Sequence, residues 1–150
     1  MGIGGAAIVG ADQILVSFHA PGAYYANEIP PGHQDESSYD ALQFRVGVSW
    51  NSSLNAAGQA QDFTVTLTDG SGDVVSTQVS GWSNALFYPL GPMPPPDSSA
   101  VPKNFLNMVR IPLSSFADAG LAVTNVTSVE FDFDQRPSGS YLIADLAFEI

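Results

Sequence analysis

The stretch from Leu42 to Trp50 alternates strictly. Leu42, Phe44, Val46, Val48 and Trp50 fall on one side, and Gln43, Arg45, Gly47 and Ser49 on the other. A side-chain period of two belongs to an extended strand with one face buried. The pattern returns twice. Phe63, Val65 and Leu67 alternate with Thr64, Thr66 and Thr68, and Val129, Phe131 and Phe133 alternate with Glu130, Asp132 and Asp134. A sheet with a broad apolar face must cover it with another layer, and no long amphipathic helix is written in this chain to serve as one. The covering layer is therefore a second sheet.

The remaining strands are read at Gln13–His19, Val74–Val79, Phe105–Ile111 and Tyr141–Ile150. Asp69-Gly70-Ser71-Gly72-Asp73 joins two of them as a hairpin turn. Ala20 to Tyr25 reads as a turn carrying aromatics, and Glu28–Ser38 as loop. Pro112 to Phe116 should turn over the sandwich edge. Gly81–Lys103 holds Trp82, Phe87, Tyr88 and Met93 among its prolines, and an irregular stretch of that length is usually functional or partly disordered. Seven or eight strands separated by turns make an all-β fold, an antiparallel β-sandwich or jelly roll. The 150 residues suit one domain, 1–150, with no repeat or linker dividing them. Residues 1–10 lack the basic start and apolar core of a signal peptide and read as a flexible or artificially added start.

Composition narrows the partners. With 45% hydrophobic and 13% charged residues, the chain is not disordered by composition. Fifteen acidic against four basic residues give a net charge of −11. Phosphate backbones and anionic lipid repel such a surface, so nucleic acid and membrane are poor partners, whereas calcium suits hard carboxylates. There is no cysteine, which removes disulfides and thiol chemistry.

Catalytic groups are sparse. His19 and His33 are the two histidines, without a metal-binding or nucleophile-elbow motif around them. His33 lies in a Pro-Gly loop beside Asp35 and Glu36. Glu130, Asp132 and Asp134 stand about 7 Å apart along one strand face, a spacing open to glycosidase chemistry, but an acidic row on an exposed sheet reads first as solvated. Arg110, if it points outward, would pair with that row. Aromatic side chains are the stronger signal, because apolar sugar faces stack on flat rings while polar neighbours bond the hydroxyls. Trp82 with Asn84, Tyr88, Trp50 with Asn51, and Tyr24 and Tyr25 are the candidates. The parity of Trp50 with Leu42 to Val48 places it in the core instead.

Asn107-Met108-Val109-Arg110-Ile111-Pro112-Leu113-Ser114-Ser115-Phe116, Leu121 to Phe131, and Ser138 to Phe148 resemble the closing segment of galactose-binding-like jelly-roll domains. Ser38-Tyr39-Asp40-Ala41-Leu42-Gln43-Phe44 resembles a strand of the same domains. The resemblance covers about half the chain. It implies a non-catalytic carbohydrate-binding accessory module of a secreted bacterial hydrolase, acting outside the cell on a polysaccharide or oligosaccharide beside a linked catalytic domain. Other members of the set only brace a neighbouring domain, which keeps a structural or interaction role open. The resemblance also implies a structural calcium ion held by an aspartate of the last strand. Asp145 stands at the matching place, with Ala144 where a second acid is usual, and Asp12, just before the first strand, is the candidate partner ligand.

Overall fold

The computed structural model describes residues 13–88 and 105–150, together with the backbone of two short strands before them. Among the described residues, ten strands form two five-stranded sheets with antiparallel pairing throughout. They are β1 (Gly2–Gly4), β2 (Ala7–Val9), β3 (Gln13–Phe18), β4 (Ala23–Glu28), β5 (Ala41–Val48), β6 (Thr64–Asp69), β7 (Val74–Gln78), β8 (Asn107–Pro112), β9 (Val126–Phe133) and β10 (Gly139–Glu149). The first sheet runs β1-β4-β9-β6-β7 and the second β2-β3-β10-β5-β8. This is the expected jelly-roll sandwich.

The alternating strands meet across an aromatic core. Phe44 of β5 lies 4.9 Å from Phe131 of β9, and Phe63 lies 5.4 Å from Phe131 and 5.5 Å from Tyr141. Phe18 stacks on Phe133 at 5.3 Å. All six rings are fully buried, so each removes a large apolar area from water. Burial raises the Tyr141 pKa, and its hydroxyl resolves the cost of burial by donating to Gln61 Oε1 at 2.9 Å.

Several expectations change. The segment from Ala20 to Tyr25 is a turn only as far as Gly22. Ala23 begins β4, in which Ala23 and Tyr25 face the core and Tyr24 faces out. Residues 1–10 contain β1 and β2, which pair with β4 and β3. Pro112 to Phe116 does not cross as a plain turn; Leu113–Asp118 forms a short helix, α1, that buries Leu113 and Phe116. Arg110 lies on β8 in the second sheet, while the acidic row lies on β9 in the first, so the two never pair.

One end of the sandwich is closed by residues 49–62. Asn55, 6% exposed, donates to Ser49 O at 2.7 Å and Ser140 O at 3.1 Å and accepts from Ser140 N at 2.9 Å. The hairpin at Asp69 forms as read. Asp69 Oδ1 accepts from the amides of Ser71 and Asp73, and Oδ2 accepts from Ala122 N at 2.9 Å. These bonds hold its pKa below the usual carboxylate value, the Ala122 amide most strongly.

Candidate functional site

The outer face of the first sheet carries a hydrogen-bonded polar surface. Strand register sets it out in ranks. Tyr24, Asp132, Thr64 and Gln78 form one, Ala26, Glu130, Thr66 and Ser76 the next, and Glu28, Ser128, Thr68 and Val74 a third. Each arises from the outward parity of strands whose other parity is core, so the buried aromatics fix the positions of the exposed oxygens.

Hydrogen bonds link the ranks. Thr66 donates to Asp132 Oδ2 at 2.7 Å, which leaves its oxygen to accept from the Ser76 hydroxyl at 2.9 Å. Gln78 donates to Gln135 Oε1 at 2.9 Å, Gln135 to Thr64 Oγ1 at 3.4 Å, and Thr64 to Asp134 Oδ1 at 2.9 Å. Both chains end on a carboxylate. They fix Asp132 and Asp134 in place and leave further lone pairs to accept donors from outside.

Glu130 behaves differently. Its pKa is pushed up to about 7, first by burial, then by its hydrogen bond to Asp132 and the charge there. The row read as solvated carboxylates is therefore an organised surface in which burial and the neighbouring Asp132 favour the protonated form of Glu130. The sequence shows the row. It does not show Thr66 and Thr64, which reach it only through the sheet pairing.

The candidate aromatics divide. Tyr25 is 5% exposed and packs on Phe131 at 6.1 Å, so it is a core residue and unavailable for stacking. Burial also raises its pKa. Its neighbour Tyr24 takes the outward place beside Asp132. Trp50 is half-buried against the core, as its parity required, and meets Tyr88 edge-on at 5.0 Å. Trp82 is 39% exposed at the edge of β7, its indole N–H donating to Thr77 Oγ1 at 2.9 Å. Asn84 is exposed in the same segment, where its carbonyl accepts from Phe87 N at 3.0 Å. This segment bridges the edges of the two sheets, with Val79 N bonded to Phe63 O and Ser83 Oγ to Met108 O. The rest of the Pro-rich loop, including Met93, lies outside the described residues.

Of the two candidate metal ligands, the structure describes one. Asp145 sits at a β-bulge with φ of +53° and forms an ion pair with Arg45. Asp12 lies outside the described residues. Among the described residues no group of three or more His, Asp or Glu side chains is placed to hold a metal ion. The guanidinium contacts one oxygen of the Asp145 carboxylate, Oδ2.

No family model matches this sequence, and no curated protein matches it. Solved structures do share its architecture. A family 30 carbohydrate-binding module of a cellulosomal cellulase of Clostridium thermocellum superposes with a TM-score of 0.57 at 14% identity, covering 97% of this chain and 86% of that one. A family 11 module of another cellulosomal cellulase of that organism gives 0.57 at 14% identity over 99% and 81%. A family 11 module in complex with a β-1,3-1,4-mixed-linked tetrasaccharide gives 0.55 at 15% identity over 99% and 85%. The fold is that of the jelly-roll carbohydrate-binding modules, consistent with the resemblance in the C-terminal third.

Proposed function

We propose that this domain binds a polysaccharide on the outer face of the first sheet. The observation that carries the reading is the pair of hydrogen-bonded chains ending on Asp132 and Asp134. They offer fixed acceptors for sugar hydroxyls, with Tyr24 beside them to receive an apolar sugar face. Residues about 4.8 Å apart within a rank, and ranks about 7 Å apart along the strands, suit a repeating ligand laid on the sheet. The fold shared with modules of cellulosomal enzymes supports the same reading, and it supports a place as an accessory module of a secreted hydrolase rather than as the catalyst. Affinity electrophoresis against insoluble and soluble glucans tests the binding. Mixed-linked β-1,3-1,4-glucan comes first, because a structural neighbour holds a fragment of it. Retardation that Tyr24→Ala abolishes supports the proposal, and free migration in every glucan refutes it.

A second reading has its own observation. Phe87, Phe105 and Met108 are 53%, 69% and 52% exposed at the edge bridged by the Trp82 segment. Exposed apolar side chains gathered on one flank suit packing against a linked domain. Proteolytic stability of the domain with and without its natural neighbour distinguishes this from a purely ligand-binding role.

A further inference from the structure

The polar surface of the first sheet has a direction. Its two hydrogen-bonded chains run across the strands, not along them. One passes from Ser76 of β7 through Thr66 of β6 to Asp132 of β9. The other passes from Gln78 of β7 through Gln135 and Thr64 to Asp134. The third rank, Glu28, Ser128, Thr68 and Val74, has no side-chain hydrogen bond between its members among the described residues. The fixed polar groups therefore form a band across β9, β6 and β7 at one end of the strands. A ligand that follows fixed partners crosses the sheet there.

The two ends of the band differ. Tyr24 stands on β4 beside Asp132, and the outward positions of β1 beyond it are Gly4, opposite Tyr24, and Gly2, opposite Ala26. No side chain of β1 rises past the ring on that side. From Tyr24 to Gln78 the band crosses three strand spacings, about 14 Å, which is longer than a disaccharide. The far end holds amides in place of carboxylates. Gln78 gives one N–H to Gln135 Oε1, and Gln135 gives one to Thr64 Oγ1. A side-chain amide donates as well as accepts, so this end meets sugar oxygens that Asp132 and Asp134 cannot. Directly past Gln78 the chain makes a single 3-10 turn at Val79–Gly81 and sets Trp82 at the β7 rim. The indole N–H is committed to Thr77 Oγ1, which fixes the ring while the residue stays 39% exposed. Thr77 has the opposite parity to Gln78, so the ring stands at the rim of the face, beside its last polar group.

We infer, resting on the sheet-face reading, that the glycan crosses the strands from Tyr24 to the β7 rim, where Gln78, Gln135 and Trp82 form a far subsite that selects for ligand length. A disaccharide seated at Tyr24 and Asp132 falls short of it, and a tetrasaccharide reaches it. The test is an NMR titration of the intact domain with mixed-linked β-1,3-1,4-glucan oligosaccharides from disaccharide to pentasaccharide. The wild type should gain at least about tenfold in affinity from disaccharide to tetrasaccharide. Gln78→Ala and Trp82→Ala should each remove most of that gain and leave the disaccharide unchanged, whereas Tyr24→Ala should weaken every length. Gln78 is exposed, so its variant decides the question by itself where Trp82→Ala lowers Tm. Equal affinity at every length, or a gain that survives in either folded variant, overturns the far subsite and leaves the sheet-face reading standing. A gain lost in Thr68→Ala instead places the glycan along the strands and overturns it too. No binding by the wild type at any length overturns both.

Discussion

Glu130 makes this domain's stability depend on pH in a defined direction. Its carboxyl moves from an ordinary 4.5 to about 7 in the folded state. A carboxyl whose folded pKa is raised binds more protons in the native chain than in the unfolded one between those values. Stability is therefore fully present below about 4.5 and falls as the pH rises through 7. A shift of that size corresponds to at most ~3 kcal/mol, and screening by solvent at a partly open face reduces it to ~1 kcal/mol. For a domain of this size ~1 kcal/mol is about 2–4 °C in Tm. Urea unfolding of the wild type and Glu130→Gln at pH 5, 6, 7 and 8 isolates the effect. The wild type should lose ~1 kcal/mol between pH 5 and 8 relative to the glutamine variant, since an amide neither ionises nor repels Asp132. Parallel pH profiles for the two proteins refute the raised pKa of Glu130. Acid-induced losses from other carboxylates affect both proteins and cancel in the difference.

Other expectations follow from the packing. Asn55→Ala leaves the buried Ser140 amide without its acceptor, while the Ser49 and Ser140 carbonyls keep the Ser52 and Ser49 amides, and should cost about 1–3 kcal/mol in urea unfolding. Phe131→Ala should cost about 3–5 kcal/mol, since it touches Phe44, Phe63 and Tyr25 in one cluster. Gly47→Ala places a Cβ 2.7 Å from the Phe105 carbonyl oxygen, so calorimetry should find a lower Tm from the displaced approach to β8. The Arg45–Asp145 pair is roughly half exposed, so Arg45→Met should change stability by less than ~1 kcal/mol. Melting in calcium and in chelator tests the calcium expectation: a calcium-dependent rise in Tm supports Asp145 as a metal ligand, and coincident curves remove it from that role.

The sandwich was legible because β5, β6 and β9 bury one parity and expose the other. Their alternation names both the core and the outward rows. β4 was hidden because Ala23 and Ala26 are too small to mark a face, so Tyr24 and Tyr25 read together as loop aromatics. One residue of register separates a core ring from a surface ring. α1 escaped notice because six residues carry too little periodicity to declare a helix. The acidic row was visible, but its partners were not. Thr64 and Thr66 lie some seventy residues from Asp134 and Asp132, and only the pairing of β6 with β9 brings them together.

The central claim is that the outer face of the first sheet holds a glycan. Isothermal titration with mixed-linked β-1,3-1,4-glucan oligosaccharides tests it directly, using the wild type, Tyr24→Ala and Asp132→Asn. The account predicts saturable binding by the wild type and a loss of about tenfold or more in each variant, with melting showing both still folded. Binding unchanged by both substitutions, or none to any glucan, contradicts it.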